Sequence, residues 1–427
     1  MSISMNKALE LLSPDLVRNI LLGSVFLFLL FMVFRKEQNA KLNWAMFYAF
    51  LWVFCALFVV NGLSVHWGFW SFREESPTLI PHDLFFDWVV FWGVAVPFVL
   101  KGRYIVMVAI FLFWIDILFM PLLAKLGILD LRQNWLVGEC LLISLVFVPS
   151  QLWFRFSLND VRIGWRSFFQ VMVMAFLLLI GLPFLVSVYS MSSGQYVLLQ
   201  TSIWMQIIFV IALPSLIAVV DLVDKGQGTP FPYDPTKHLV RSGVYAYLRN
   251  PIQWSFTWLF IPLALMYQSP LLFFGGLVSV AYVIGVSNPE EKVSMLSRFG
   301  DDWKQYKQTV PAWYFKWRPT TITPAKIYFN QDCAICSSLR RWLIQRKPIN
   351  LTFLDANQHS QTLESLEYEN KEGTQYSSVK ALASCLEHIN LAWASLGWLM
   401  RLPIINYILQ VIADTMGIGA NTCKVSE

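Results

Sequence analysis

The sequence predicts a polytopic α-helical membrane protein that ends in a small soluble α/β domain. Of its 427 residues, 56% are hydrophobic and only 14% are charged, a balance that soluble proteins rarely reach. Long apolar runs recur as far as residue 286, whereas the composition from Thr320 onward is that of a globular domain. We therefore predict three domains: N-terminal transmembrane helices over 1–195, a membrane core over 196–318, and a soluble domain over 319–427.

Seven apolar runs have the length that a helix needs to cross a bilayer, about 17–25 residues. They are 17–34, 44–63, 84–100, 104–123, 135–154, 165–188 and 197–220. Two shorter runs, 252–267 and 271–286, are joined by a tight turn and predict a helical hairpin, which gives about nine spans in all. Helices are predicted because unpaired backbone groups are so unfavourable in lipid.

The charged loops predict the orientation. Basic residues concentrate in alternate loops, after the first, third, fifth and seventh runs. By the positive-inside rule, this places the N-terminus outside and both the 221–251 loop and the C-terminal domain in the cytosol, beneath an inner or plasma membrane. The net charge of +5 belongs mostly to these loops, so we predict a bilayer partner and no nucleic acid.

The polar segment 228–251, GTPFPYDPTKHLVRSGVYAYLRNP, contains the densest cluster of special residues in the chain. Its prolines fix an extended backbone, and its glycines permit close backbone approach. Arg249 precedes Asn250-Pro251, where a helix can begin, and an arginine there is suited to bind a carboxylate or a phosphate. An ordinary basic interfacial loop with aromatic anchors is the simpler interpretation of the composition.

A second polar cluster, NPEEKVSMLSRFGDDWKQY at 288–306, follows the predicted hairpin. Its Glu290 and Glu291 return to the same side of the membrane as Arg249. Acidic and basic groups that meet there can bind a zwitterionic cofactor, or they can pair with each other.

Together, LVRSGVYAYLRNP and EEKVSMLSRFGDDWKQYKQTVPAW resemble the C-terminal core of isoprenylcysteine carboxyl methyltransferases and related phospholipid methyltransferases. The resemblance implies that S-adenosylmethionine binds from the cytosolic side and that a lipid-like or small-molecule methyl acceptor enters from the bilayer. It implies a cofactor site bordered by Leu239, Val240, Gly243, Tyr245, Arg249, Asn250 and Pro251. It also implies catalytic roles for Arg249, Glu290 and Glu291, with the glutamates completing the pocket or orienting the acceptor.

Three carboxylates fall within the predicted spans, in their outer halves: Asp87, Asp116 and Glu139. Acidic residues inside spans are functional candidates, and one hypothesis places all three in one outer-leaflet pocket. The alternative is that they snorkel to the outer surface, or pair with basic residues near it, namely Arg73, Lys125 or Arg132. His66 and His82 show no recognisable metal-binding spacing, so no metal is predicted.

The soluble domain opens with a β-prone strand at 326–329 and an amphipathic helix at 337–346. Cys333 and Cys336 lie at the junction between them, where a helix N-terminus favours the thiolate, so one thiol can attack a disulfide and the other can resolve it. The following strand at 349–356 is consistent with the start of a thioredoxin-like βαβ unit. Zinc is the alternative chemistry, with further ligands available downstream: Cys385, His388 and Cys423.

The tail also resembles the DCC-type thiol-disulfide oxidoreductases, on the basis of DCAIC at 332–336, the LRRWL helix and the FLDA strand. The resemblance implies a thioredoxin-like domain with a redox-active Cys333–Cys336 dithiol. In it Cys333 attacks, Cys336 resolves, and Asp332 tunes both thiols. The implied partners are a thiol reductant or a disulfide substrate.

The sequence thus predicts an integral-membrane S-adenosylmethionine-dependent methyltransferase, acting on a lipid-like, thiol or carboxyl acceptor, fused to a cytosolic thiol-disulfide oxidoreductase. The alternative is a membrane-anchored oxidoreductase, or a redox-sensing scaffold, whose methyltransferase-like core is inactive. Two departures from the family pattern favour this alternative: Asn250 stands where the family often has His, and Gln253 where it often has an aromatic residue.

Overall fold

The computed structural model describes residues 13–35, 39–73, 80–190, 198–231, 234–319, 322–329, 334–359, 363, 365–371 and 373–416. The side chains of 187–190, 198–201, 286–292 and 334–335 also lie outside the description. The chain divides into two compact units, Met1–Tyr189 and Ser190–Glu427.

Within the part of the chain that the structure describes, seven helices are long and apolar enough to cross a membrane, which confirms the predicted polytopic helical membrane protein. The first unit contains six: α1 (Pro14–Phe34), α2 (Ala40–His66), α3 (His82–Leu100), α4 (Ile105–Lys125), α5 (Trp135–Leu158) and α6 (Ile163–Val186). The seventh span, Ser202–Asp224, belongs to α7 (Leu198–Asp224) in the second unit. Two short strands of the first unit, β1 (Trp70–Phe72) and β2 (Leu129–Leu131), pair antiparallel.

Three spans of the first unit contain a π-helical turn, at Phe91–Ala95, Ile143–Phe147 and Leu177–Gly181. Each turn is followed, two residues on, by a proline, and proline both lacks an N–H and clashes with the carbonyl four residues earlier. In α5 the carbonyl that Pro149 leaves without its helical donor is that of Leu145. The Trp52 indole N–H donates to it at 3.1 Å, so a neighbouring helix satisfies the freed group.

In the second unit, α7 packs against α8 (Pro251–Met266), and α8 packs against α9 (Pro270–Tyr282). These two helices form the predicted hairpin, with Gln268 at positive φ in the turn between them. A π-helical turn at Val283–Ser287 leads into α10 (Asn288–Thr309), which is kinked at Gly300. The hairpin therefore starts from the polar segment that follows α7, and α10 brings the chain back to that segment.

The C-terminal region contains a small mixed sheet with the strand order β4-β3-β5-β6. Its elements are β3 (Ala325–Phe329), α11 (Ala334–Gln345), β4 (Leu351–Asp355), β5 (Glu367–Asn370), β6 (Gln375–Ser377), α12 (Ser378–Leu386), α13 (Leu391–Arg401) and α14 (Pro403–Thr415). β3 and β4 are parallel and flank α11 in the chain, whereas the other pairings are antiparallel. This is a small α/β region, and its assignment as thioredoxin-like stays a prediction.

The C-terminal region packs directly on the membrane core. Ile217 of α7, Val244 of the following segment and Trp398 of α13 belong to one buried apolar cluster. The Leu391 N–H donates to the Trp317 carbonyl at 2.9 Å. Residues on both sides of the predicted boundary at 318 therefore share one core, and that boundary stays a prediction.

Candidate functional site

A cavity of about 270 Å³ lies in the second unit, between the end of α7, the segment that follows it, the start of α8, and α10. Five residues that were predicted to border a cofactor line it: Leu239, Val240, Tyr245, Arg249 and Asn250. Three aromatic side chains complete much of the wall: Phe231, Trp303 and Tyr306. Gly243 and Pro251, the two remaining members of that set, are buried, and neither is among the described lining residues.

The 3-10 turn Gly243–Ala246 carries Tyr245 into the wall of this cavity. Gly243 has a φ of +67°, in the left-handed region that favours glycine. A Cβ at this position would stand 2.0 Å from a carboxylate oxygen of Asp221. The Val244 N–H donates to that oxygen at 3.3 Å. A buried carboxylate at the end of α7 thus fixes the turn.

Arg249 joins the segment to α10. Its guanidinium Nη1 donates to the carbonyls of Lys307 at 2.9 Å and Val310 at 3.3 Å. Its Cζ also lies 5.9 Å from the centroid of the Trp303 ring. The predicted anion-binding arginine therefore clamps the C-terminal end of α10 while it lines the cavity.

Asn250 presents an unsatisfied donor at the cavity. Its side chain is 2% exposed, and its Nδ2 has no hydrogen-bond partner among the described residues. The residue is the N-cap of α8 but makes no side-chain capping bond. Leaving a buried amide unpaired is unfavourable by about 1–3 kcal/mol, so an acceptor in the cavity, whether a water or a ligand atom, would stabilise it.

The charged side chains among the described lining residues are both positive, Arg249 and Arg298. Partial burial lowers the pKa of Arg298. The predicted acidic partners, Glu290 and Glu291, lie on α10, and their side chains are outside the described residues. Position 291 precedes Ser294 by three residues and Arg298 by seven, the spacing of one helical face, and both of those residues line the cavity.

A buried ionic network stands behind the cavity wall. The Arg401 Nη2 of α13 lies 2.6 Å from the Asp221 Oδ1, and its Nη1 lies 2.6 Å from the Glu387 Oε1. Lys225 pairs with the same Asp221 oxygen at 2.8 Å. Burial is the largest single effect on the pKa of Lys225 and lowers it, but the negative charges of Asp221 and Glu387 together outweigh burial, so the net shift is upward. The C-terminal region is thereby connected to the carboxylate that fixes the 3-10 turn.

Sequence reasoning did not identify this network. Two of its members did have a sequence signal. Asp221 and Lys225 stand four residues apart at the end of an apolar span, where charged residues usually have a partner or a function. Nothing in the sequence indicated that the partners would come from the far end of the chain.

The structure describes part of the predicted redox motif. Cys336 lies in the first turn of α11 and is partly exposed. Cys333 and Asp332 lie outside the described residues. Of the alternative zinc ligands, Cys385 is fully buried, and burial raises the pKa of its thiol. Cys423 is also outside the description, and no group of three potential ligands occurs among the described residues.

His388 is fully buried and neutral. It shares a hydrogen bond of 2.9 Å with the Tyr368 hydroxyl through Nε2, and its Nδ1 lies 2.7 Å from the Ile349 carbonyl. The carbonyl can only accept, so Nδ1 carries the proton. Burial lowers the pKa of His388 from 6.5 to about 4. The hydrogen bond to the Ile349 carbonyl acts in the opposite direction but offsets only part of this shift.

The depressed pKa predicts acid sensitivity. Between pH 6.5 and about 4, the unfolded chain binds a proton at His388 that the folded chain does not. Stability present above pH 6.5 is therefore lost as the pH falls to about 4, by about 3 kcal/mol. Unfolding of the purified protein at pH 7.5 and 4.5 measures this loss. The variant His388→Asn keeps a hydrogen-bond donor but cannot titrate, so it is expected to lose less stability between the two pH values. Equal losses of stability in the wild type and the variant would contradict the role given to His388.

Among the carboxylates of the first unit, the structure brings Asp116 and Glu139 within electrostatic range of each other. Asp87 is buried, and neither of its carboxylate oxygens has a partner among the described residues. Arg73 pairs with Asp130 at 3.0 Å rather than with any of the three. Their convergence in one pocket stays a prediction.

Comparison with known proteins supports the membrane site. Residues 203–302 match the model of the phospholipid methyltransferase family. A search of curated proteins and a search of solved structures found no match. The matched segment runs from α7 into α10 and contains most of the cavity wall. The chain therefore carries a phospholipid methyltransferase-like membrane domain.

Proposed function

We propose that this protein is an S-adenosylmethionine-dependent methyltransferase whose cofactor binds in the cavity between the 229–253 segment and α10. One observation carries the proposal. The segment that matches a methyltransferase family folds back on itself and encloses a cavity that combines cationic, aromatic and unsatisfied donor groups. The cavity volume of about 270 Å³ is near the lower end of ligand pockets, roughly 300–1,000 Å³.

The residues present fit a zwitterionic sulfonium cofactor. Arg298 offers a cation for a carboxylate, and the Asn250 amide offers a donor for a hydroxyl, carbonyl or ring nitrogen. The faces of Tyr245, Trp303 and Tyr306 can attract a sulfonium through cation–π interaction. Glu290 or Glu291 would supply the negative charge that a cofactor amine needs, as the family resemblance implies.

When bound, S-adenosylmethionine supplies a methyl group that passes to a nucleophilic acceptor as the sulfur–carbon bond breaks and its electron pair returns to sulfur. The protein's own contribution is to position this group and exclude water. Arg249 and Tyr306 hold α10 against the segment, through the Lys307 carbonyl and the Tyr245 carbonyl respectively. The acceptor we propose is lipid-like and enters from the bilayer, with the site on the cytosolic face of an inner or plasma membrane.

Calorimetry with S-adenosylmethionine on the purified full-length protein tests the proposal. We expect saturable binding to the wild-type protein. Asn250→Ala removes one buried hydrogen bond to the ligand and is expected to weaken binding about tenfold, since such a bond contributes about 1–1.5 kcal/mol. Asn357→Ala, an exposed asparagine outside the cavity, is the matched control and should bind like the wild type. Absence of binding to the wild-type protein would favour the inactive scaffold.

A second activity, thiol-disulfide exchange in the C-terminal region, is favoured by one observation. Cys336 lies in the first turn of a helix that connects two parallel strands, the position where the helix N-terminus stabilises a thiolate. We propose that the Cys333 thiolate attacks a substrate disulfide and that Cys336 then displaces the mixed disulfide. The substrate leaves as a dithiol, the Cys333–Cys336 pair is oxidised, and an external thiol reductant restores it.

Disulfide turnover by the purified protein, with glutathione as reductant, tests this second activity. Cys336→Ser removes the resolving thiol and is expected to reduce turnover at least tenfold while trapping a mixed disulfide on Cys333. Cys385→Ser changes a fully buried thiol and should leave turnover unchanged. Equal activity in Cys336→Ser and in the wild type would exclude the mechanism.

A further inference from the structure

Helix α14 exposes a continuous apolar stripe. Ile404 and Tyr407 are 76% and 72% exposed, and Ile408, Val411 and Ile412 are each about half exposed. These positions recur at the spacing of one helical face. Asp414 is the one charged residue in this helix.

The opposite face of α14 holds the helix to the C-terminal region. α14 packs against α12 and α13, and its Gln410 side-chain oxygen accepts from the Val379 N–H at 3.3 Å. The stripe therefore points away from the only described elements that α14 packs on closely. A continuous stripe of five apolar side chains is unusual on a surface that faces water, and such a stripe is normally covered by another apolar surface.

Helix α14 begins close to the end of the seventh span. The helix begins at Pro403, two residues after Arg401, whose guanidinium bonds to Asp221 at 2.6 Å. Asp221 stands three residues before Asp224, where the seventh span ends, a rise of about 4.5 Å along the helix. The start of α14 therefore lies at the level of the membrane boundary.

Helix α14 by itself is short for a transmembrane span. Its 13 residues extend about 20 Å, well short of the roughly 30 Å hydrocarbon core. It also turns by 87° from α13, so the two helices do not form one continuous span. A short helix with an apolar face at the boundary is suited to lie in the membrane interface.

We propose that α14 docks on the lipid bilayer, with the Ile404–Ile412 stripe buried among the headgroups and the first acyl carbons. The C-terminal region is then held at the membrane surface at two points, by the Arg401–Asp221 bond and by α14. Cys336 and its dithiol partner would meet substrates at the membrane rather than in bulk solvent. This inference does not depend on methyltransferase activity.

Photo-cross-linking in full-length protein reconstituted into phospholipid bilayers tests the docking. Tyr407 is replaced by p-benzoylphenylalanine, a close aromatic analogue, and adducts are identified by mass spectrometry. Asn357, exposed elsewhere in the C-terminal region, is the negative control position, and Phe274, 61% exposed on the apolar helix α9, is the positive control. We expect at least tenfold more lipid adduct at 407 than at 357.

Two results would overturn the proposal. One is that the positive control at position 274 forms a lipid adduct while position 407 forms no more than the negative control at position 357. The other is a predominantly protein–protein adduct at 407, which would assign the stripe to a second copy of the chain or to another part of the same chain.

Discussion

Replacing Arg401 with Ala is expected to destabilise the second unit by about 3–5 kcal/mol, because it strands buried carboxylates without their partner. Asp221 is 0% exposed and Glu387 2%, so water cannot replace the lost guanidinium at either group. Lys225 remains beside Asp221, but Glu387 loses the bond that Arg401 makes to it at 2.6 Å. Denaturant unfolding of the purified protein in detergent, followed by the near-ultraviolet signal of its tryptophans, measures the change.

Arg241→Ala is the matched control, since it also removes an arginine from an ion pair of the second unit. The Arg241–Asp302 pair is longer, at 3.5 Å, and its side chains are 34% and 67% exposed. A surface pair of this kind contributes at most about 1 kcal/mol. If both substitutions changed stability equally, the buried network would not be what attaches the C-terminal region to the core.

The same network predicts an effect on the cavity. Asp221 bonds to Arg401 through one carboxylate oxygen and to the Val244 N–H through the other. When Arg401 is lost, Lys225 alone still holds the first oxygen, so the carboxylate and the 3-10 turn that carries Tyr245 are less well fixed. We therefore expect Arg401→Ala to weaken S-adenosylmethionine binding even under conditions where the protein remains folded.

Gly243→Ala is expected to weaken S-adenosylmethionine binding by about two orders of magnitude. Left-handed backbone is unfavourable by about 1–2 kcal/mol for residues other than glycine. The new methyl group would also stand 2.0 Å from the Asp221 carboxylate, and burial leaves that group no room to withdraw. The turn must shift, and Tyr245 shifts with it; a total penalty of about 3 kcal/mol corresponds to about a hundredfold in affinity.

Gly276→Ala provides the control for this substitution. Gly276 lies within α9 of the same unit, and an added Cβ would meet its nearest neighbour at 3.5 Å, an ordinary contact. Alanine is also the better helix former. Calorimetry with S-adenosylmethionine on both variants separates an effect specific to the Gly243 turn from the general effect of an added methyl group. Near-wild-type affinity in Gly243→Ala would show that the turn is not part of the binding site.

The helices were predictable because lipid permits few alternatives. Each of the seven spans overlaps its predicted apolar run, and the predicted hairpin appears as α8 and α9. The predicted run ended at residue 220, because the residues from Asp221 onward, DLVDKGQG, are mostly polar or charged. The structure continues α7 to Asp224, since Arg401 and Lys225 neutralise Asp221 inside the protein.

The cavity wall was predictable in part, and for a local reason. Tyr245, Arg249 and Asn250 are close in sequence, and a turn followed by a helix start brings them to one side of the segment. The wall contributed by α10 depended on the hairpin folding back, which the two short apolar runs and the tight turn between them predicted. The carbonyl contacts of Arg249 were not foreseeable, because they require the end of α10 to pass beside it.

The attachment of the C-terminal region was beyond sequence reasoning. The Arg401–Asp221 bond joins residues 180 positions apart, and a change of composition at Thr320 indicated separate domains. Composition reports whether a segment can fold in water, and it carries no information on which surface that segment then covers.

The central claim is that S-adenosylmethionine occupies the cavity between the 229–253 segment and α10. The most direct test is ultraviolet cross-linking of methyl-labelled S-adenosylmethionine to the purified protein, followed by peptide mapping. The label is expected in peptides that contain 229–253 or 294–306, with competition by unlabelled cofactor. Competable label confined to the first unit or to the C-terminal region would contradict the claim.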